Sequence, residues 1–268
     1  MIKKESFFKI KSFFYPSIIK LFWMTFIKRL SIISSIALIL FGCNAENEFQ
    51  NPKDFNAFSQ EFLLHEKSGK ITDAFIDTLI NLNNTKLIAE LNSDEKKIAF
   101  WLNCYNALVL NKLSKDSTLY RNKKEFFEGQ SITIGGEKMS LNTIENGILR
   151  LQYIHEYENI IRQFRPTKFD YRIHFALNCG ANSCPPIVFY EPVNLEGQLS
   201  IAEKSFVKNT SFYHLKKNEV EISELFKWYE KDFNSKTGII QLLKRNQIIP
   251  AWANPKITYT PYDWSNKK

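Results

Sequence analysis

One long segment, residues 94–112, is apolar on nearly every side if it is helical. Phe100, Ala107 and Leu110 lie opposite the main apolar stripe, so neither side of the helix suits solvent. Such a helix has to be surrounded by other elements, and a chain of 268 residues that is 44% apolar is large enough to bury it. The main stripe follows helical spacing and consists of Ile98, Trp101, Leu102, Tyr105, Leu108 and Val109.

Two amides lie within this predicted helix. Asn103 and Asn106 are three residues apart and therefore occupy neighbouring parts of its surface. A buried amide without partners costs about 1–3 kcal/mol. We therefore expect each amide to hydrogen-bond to the backbone or to a site.

Turn signals and residue periods mark further elements. A Gly-Gly pair within residues 131–139 indicates a β-hairpin. Ser140 fits the N-cap of a helix that extends to Arg150. Strict alternation over residues 170–178 predicts a strand whose polar face carries His174.

The C-terminal part supplies fewer signals. Residues 219–222 indicate a short strand, Ser223 fits the cap of a helix through Phe233, and residues 257–264 form a last extended segment. No linker, repeat or low-complexity stretch interrupts residues 55–268. The sequence predicts a single α+β domain, with helices packed on a small, mostly antiparallel sheet.

The N-terminal residues carry a targeting signal. Lys28 and Arg29 precede twelve uncharged residues, 30–41, which are followed by Gly42 and Cys43. A run of this length fits the apolar core of a signal peptide and is too short to span a bilayer comfortably. The ending L-F-G-C resembles a bacterial lipobox, which implies cleavage before Cys43 and acylation of its thiol. An uncleaved N-terminal anchor is the alternative.

We therefore predict a signal segment at residues 1–42, with Met24 as an alternative start, and a lipidated tether at residues 43–54. Asn44 does not resemble the aspartate that retains lipoproteins at the inner membrane. The expected location is the outer membrane of a bacterial envelope, on its periplasmic or surface face. The membrane, reached through the lipid, is the expected partner.

The net charge of +8 does not indicate a nucleic-acid partner. Seven of the 36 basic residues and one of the 28 acidic residues lie in residues 1–43, so the remaining chain carries only about +2. The basic character belongs mostly to the targeting signal, and nucleic-acid binding is not predicted.

Residues 172–186 contain the side chains most suited to catalysis or metal binding. His174 and Asn178 share one face of the predicted strand, which ends at Cys179, and a second thiol, Cys184, follows a Gly-containing turn. On an unbroken strand, His174 and Cys179 would stand about 17 Å apart. Any pairing of imidazole and sulfur therefore requires the chain to fold back at Gly180.

Three interpretations of this segment are open. An activated thiolate with His174 as base would perform acyl transfer. A disulfide between Cys179 and Cys184 would suit an oxidising compartment. A metal would find only three ligands here, and the C-x4-C spacing is looser than in common zinc motifs, so no metal or cofactor is predicted. Cys104 lies in the middle of the predicted helix, where no dipole activates it.

Five sequence segments, in the order in which they follow one another along the chain, also resemble the domain of unknown function 547 family. The resemblance extends over about residues 55–265 and implies no activity, because the family's own is unassigned. It does imply that seven polar positions belong to a recurring motif. The blocks are AFWLNCYNALVL, MSLNTIENGILR, RIHFALNCGANSCPPI, ISELFKWYEKDF and ITYTPYDWS, and the positions are Asn103, Asn106, Glu145, Arg150, His174, Cys179 and Cys184.

These observations lead to one functional hypothesis and one alternative. The hypothesis is a thiol-dependent acyl transfer or hydrolysis of an envelope amide or peptide, in which Cys179 or Cys184 attacks and His174 and Glu145 assist. Asn103, Asn106 and Arg150 would bind the ligand. The alternative is a non-catalytic binding or structural module with a Cys179–Cys184 disulfide.

Overall fold

The computed structural model describes residues 52–152 and 158–265. The predicted signal segment, Cys43 and most of the tether lie outside these ranges, so lipidation stays a prediction. Within the described ranges, no helix combines the length and the apolar character that crossing a membrane requires.

Short helices surround one long helix. Side-chain caps begin several of them, as where Asp54 accepts a hydrogen bond from the Ala57 amide. The α-helices are α1 (Phe55–Lys67), α2 (Asp73–Ile80), α3 (Asn84–Glu90), α4 (Asp94–Lys115), α5 (Lys123–Glu128), α6 (Glu158–Phe164), α7 (Leu195–Thr210), α8 (Leu225–Trp228) and α9 (Ser235–Arg245). Short 3₁₀ helices occupy Ser117–Arg121, Tyr171–Phe175, Pro192–Asn194 and Leu215–Lys217.

The long helix α4 confirms the expectation from its composition. Every residue from 98 to 109 is buried, and α1 packs along it. Ser93 caps its first turn, where Asp94 and Glu95 place negative charge at the positive end of the helix dipole.

Two small sheets accompany the helices. The predicted hairpin is confirmed as β1 (Ile132–Ile134) paired antiparallel with β2 (Glu137–Met139), and both turn glycines have positive φ, as a two-residue turn of this type requires. The second sheet has the order β3-β4-β5, with β3 and β4 antiparallel and β4 and β5 parallel. Its strands are β3 (Ser211–His214), β4 (Glu219–Ser223) and β5 (Lys256–Thr260). The α+β class is therefore confirmed.

The strand predicted for residues 170–178 is wrong. Asp170 accepts a hydrogen bond from the Arg172 amide and caps the 3₁₀ helix Tyr171–Phe175. This local bond offers the backbone an alternative to sheet pairing. A 3₁₀ helix advances about 2.0 Å per residue where a strand advances about 3.3 Å, so residues 171–175 span a shorter distance than predicted.

The helix predicted after Ser140 exists but has an unusual geometry. The Ser140 hydroxyl accepts from the Thr143 amide, which confirms the cap. Residues Thr143–Leu149 form a π-helix, and the Arg150 amide bonds to the Glu145 carbonyl five residues earlier. Such segments are rare and occur frequently at functional sites.

The described chain contains two hydrophobic cores. The larger core surrounds α4 and includes Phe62, Trp101 and Ile148. The smaller core lies between α7 and the three-stranded sheet and includes Phe206 and Phe226. The 3₁₀ helix Tyr171–Phe175 joins them, because Ile173 is buried in the larger core and Phe175 in the smaller one.

Candidate functional site

A cavity of about 320 Å³ lies where the two cores meet. Leu177 of the larger core and Leu225 of the smaller core both face it. It brings together three of the predicted site residues, Glu145, His174 and Cys179. We call this cavity the pocket, and its remaining lining is Tyr105, Phe127, Asn142, Asn146, Trp228, Tyr229, Tyr262 and Trp264.

His174 is only 3% exposed and is held on two sides. Its ring stacks on that of Tyr229 with 3.9 Å between centroids, and Nε2 lies 2.8 Å from Asp232 Oδ2. Burial lowers the pKa of His174 because it disfavours the imidazolium, although the hydrogen bond to Asp232 opposes this. The imidazole is therefore neutral at pH 7.

Asp232 connects His174 with Arg150. The same Oδ2 atom accepts from Arg150 Nε at 2.8 Å and lies 2.7 Å from its Nη2. Burial opposes ionisation of Asp232, but the hydrogen bonds from His174 and the Arg150 charge outweigh it and lower the pKa. Arg150 also lies over the Tyr229 ring, 4.6 Å from its centroid, and donates to Asn146. Arg150 thus contacts Tyr229 and Asp232 but does not line the pocket.

Glu145 presents its carboxylate between two tyrosines. Tyr105 donates to Oε2 and Tyr229 donates to Oε1, each at 2.9 Å. Burial together with the Glu145 charge raises the pKa of both hydroxyls, so they remain donors. In the part of the chain that the structure describes, Glu145 has no ion-pair partner.

The two thiols lie together at another wall of the pocket. The Cys179 amide donates to Cys184 Sγ at 3.0 Å, and the Tyr262 hydroxyl donates to the same sulfur at 3.3 Å. Both cysteines are free, so the structure contains no disulfide between them. Cys179 lines the pocket, whereas Cys184 is buried behind it.

The thiols differ in acidity. Burial opposes ionisation of Cys184, but hydrogen bonds from the Cys179 thiol, Tyr262 and two backbone amides lower its pKa to about 7. The hydrogen bond to Cys184 and burial raise the pKa of Cys179. The pair thus holds one proton on Cys179 and favours a thiolate at Cys184.

A tight turn produces this arrangement. Gly180 has φ +87°, and a Cβ there would lie 2.7 Å from Leu113 Cδ1. The Asn178 side chain accepts from the Gly180 amide at 2.9 Å and donates to the Pro185 carbonyl at 2.7 Å. The chain therefore folds back after the histidine, as convergence of imidazole and sulfur requires.

Asn103 and Asn106 hold backbone in place. Asn103 donates to the Tyr190 carbonyl and accepts from the Tyr190 amide, both at 2.9 Å. Asn106 donates to the Ala176 carbonyl at 3.1 Å and accepts from the Asn178 amide at 2.8 Å. Their predicted burial and pairing are confirmed, but neither amide lines the pocket.

Cys104 has no access to the pocket. It is fully buried in α4, and burial raises its pKa. Within the two described ranges, no three His, Cys, Asp or Glu side chains are grouped as metal ligands.

Several residues of the site were not predicted from the sequence. Asp232 and Tyr229 follow α8, and Tyr262 and Trp264 follow β5. All four belong to the last two blocks of the resemblance, where an acidic residue among aromatic residues was the available signal.

A larger cavity, about 610 Å³, lies elsewhere, between the start of α4 and α7. Two of its central charged groups already have partners within the protein. Arg172 pairs with Asp170 and Glu196, and the Glu203 carboxylate accepts from Tyr171. We therefore place the candidate site at the smaller pocket, where thiols and an unpaired carboxylate meet.

Comparison with known proteins supports the family resemblance. Residues 88–207 match the family model described as "Protein of unknown function, DUF547". The matched segment contains the first three sequence blocks, and therefore Glu145, His174 and both thiols of the site. No curated protein and no solved structure matched the chain significantly.

Proposed function

We propose that the domain is a thiol enzyme that transfers or hydrolyses the acyl group of an amide or peptide, with Cys179 as the attacking sulfur. One observation carries the proposal. Cys179 faces the same pocket as Glu145 and His174, and its amide donates to the sulfur of Cys184, whose pKa is lowered.

The proposed reaction uses Cys184 as the first base. The Cys184 thiolate takes the Cys179 proton as Cys179 Sγ forms a bond to the carbonyl carbon. The carbon–nitrogen bond then breaks, and the leaving amine takes the proton from Cys184. Water attacks the thioester, releases the carboxylic acid and returns Cys179 to the thiol.

His174 has a different place in this scheme from the one predicted. In the described ranges it hydrogen-bonds to Asp232 and to neither sulfur. A neutral imidazole at the pocket wall remains the candidate to accept a proton from the attacking water. Glu145 is assigned to the ligand and not to the sulfur.

A covalent probe tests the proposal. p-Nitrophenyl acetate should place one acetyl group on Cys179, and the rate should rise with pH through about 7, as Cys184 ionises. Cys184→Ala should move this rise to higher pH, above the ordinary thiol pKa of about 8.5, because burial still opposes ionisation of Cys179. Cys104→Ala is the matched control. It should change neither the residue that is acetylated nor the pH dependence of the acetylation rate.

Peptide mapping by mass spectrometry gives the answer directly. No acetyl group on Cys179 at any pH, in protein kept reduced, would exclude Cys179 as the nucleophile. Likewise, an unchanged pH profile in Cys184→Ala would remove Cys184 as the base. His174→Ala should retain acetylation and slow release of the acetyl group.

A non-catalytic binding module is the second candidate. It is favoured by the raised pKa of Cys179, the sulfur that faces the pocket. In this case the pocket would bind a ligand without forming an acyl-enzyme. Labelling of Cys179 and Cys184 only after addition of reductant would support the disulfide form of this module.

We also propose that the domain is tethered to the outer membrane through acylated Cys43. The lysine–arginine pair, the twelve-residue apolar run and the L-F-G-C ending support this proposal. Expression with labelled palmitate should label the wild-type chain and not Cys43→Ala. A Cys43→Ala chain that stays labelled and membrane-bound would contradict it.

A further inference from the structure

We infer that the ligand of this pocket carries a positively charged ammonium group, which binds between the Glu145 carboxylate and the aromatic wall. This inference rests on the proposed site and specifies its substrate as an amide or peptide that bears an amine.

The charged groups next to the pocket wall are balanced within the protein. Arg150 and Asp232 form an ion pair at 2.7 Å, with side chains 11% and 15% exposed. His174 is neutral for the reason given above. Glu145 alone of the charged lining residues has only neutral partners, the hydroxyls of Tyr105 and Tyr229.

A partly buried carboxylate without a cation is electrostatically incomplete. Two hydroxyl donors fix its orientation, but they do not cancel its charge. A cation that enters the pocket therefore gains more from Glu145 than it would gain from a carboxylate in water. A neutral ligand of the same shape has no such gain.

The surrounding wall suits a cation as well. Trp228, Tyr262 and Trp264 form one aromatic group, with centroids 5.0 Å apart for Trp228 and Tyr262 and 5.6 Å apart for the two tryptophans. Trp228 and Trp264 are 42% and 38% exposed, so parts of their surfaces remain available at the mouth. Ring faces attract ammonium groups, and tryptophan does so most strongly.

The positive charge of Lys123 favours one orientation of a ligand in the pocket. The Lys123 ammonium lies 5.6 Å from the Trp264 centroid, and burial lowers its pKa although the nearby Cys179 opposes this. This positive charge repels a ligand ammonium from the thiols. The ammonium is thus directed to Glu145, which leaves the carbonyl carbon for Cys179.

Binding to the full chain tests the inference without any chemical step. The probe is Nα-acetyl-lysine amide, and Nα-acetyl-norleucine amide is its neutral counterpart of similar length. A change in the tryptophan fluorescence of the chain, to which Trp228 and Trp264 at the pocket contribute, reports occupancy. We expect the lysine probe to bind at least about tenfold more tightly than the norleucine probe.

Glu145→Gln should remove this preference, because the amide keeps the shape and loses the charge. Glu61→Gln, on the exposed face of α1, is the matched control and should keep it. Equal affinity of the two probes for the wild type, or an unchanged preference in a folded Glu145→Gln protein, would overturn the inference. Failure to bind either probe would count against it as well. Acetylation of Cys179 is measured separately, so the proposed function can hold when this inference fails.

Discussion

The larger and the smaller core contribute different parts of the pocket. The larger core and the turn beside it supply the reactive groups, which are Glu145 and the two thiols. The smaller core and the chain after β5 supply the groups that orient them, including Tyr229, Asp232 and Tyr262. The matched family segment therefore holds reactive groups that each have one hydrogen-bond partner inside the segment and another beyond residue 207.

The two parts are also joined by the residues that follow β5. These residues pack against the turn at residues 179–184, which we call the thiol turn. There the Asn182 amide donates to the Ser265 carbonyl at 2.8 Å, and the Asp263 amide donates to the Ser183 hydroxyl at 2.9 Å. The position of Tyr262 beside Cys184 follows from this contact. Neither core alone could form the pocket.

The largest expected effect tests whether the two cores unfold together. Phe62→Ala in the larger core and Phe226→Ala in the smaller core each remove a fully buried ring and should each lower the free energy of unfolding by about 3–5 kcal/mol. Urea unfolding should show one transition in both variants. A separate early transition in Phe226→Ala alone would show that the smaller core is an independent unit.

A somewhat smaller effect is expected at the link between the cores. Asp232→Asn removes the negative partner of Arg150, a poorly exposed cation, and should cost about 3 kcal/mol. Asp73→Asn, which breaks an exposed pair with Lys115, is the control and should cost less than about 1 kcal/mol. Similar costs for the two variants would mean that the Asp232 link does not hold the cores together.

The smallest effect concerns pH. Because the pKa of His174 is lower in the folded protein, the unfolded chain binds more protons on acidification, so stability should fall as the pH drops below about 6.5. His174→Gln should weaken this dependence between pH 5 and 7, as measured by thermal or urea unfolding. His214→Gln, at a partly exposed position on β3, should leave it in place. A dependence unchanged in His174→Gln would contradict the assignment.

The sequence predicted elements whose signal is local and repeated. The apolar spacing of α4, the Gly-Gly turn and the Ser140 cap all led to elements that the structure contains. The segment around His174 failed because alternation predicts a strand only when a pairing strand is available. The capping bond of Asp170 instead favoured a 3₁₀ helix, and both sides of it became buried.

The site was predictable only in part for a related reason. Glu145, His174 and Cys179 were identified by residue type and position, and the pocket brings them together. Asp232 and Tyr262 lie 58 and 78 residues from their partners His174 and Cys184, and no local period reports such contacts. The roles expected for Asn103 and Asn106 were ambiguous between brace and ligand, since a buried amide needs partners in either case.

The glycine of the thiol turn has a consequence for how this protein can vary. Position 180 requires a left-handed backbone, and its missing side chain is the space that Leu113 of α4 occupies. A side chain at this position would push the turn off the helix and carry both sulfurs with it. Substitution of Leu113 on α4 is therefore limited by its contact with the thiol turn.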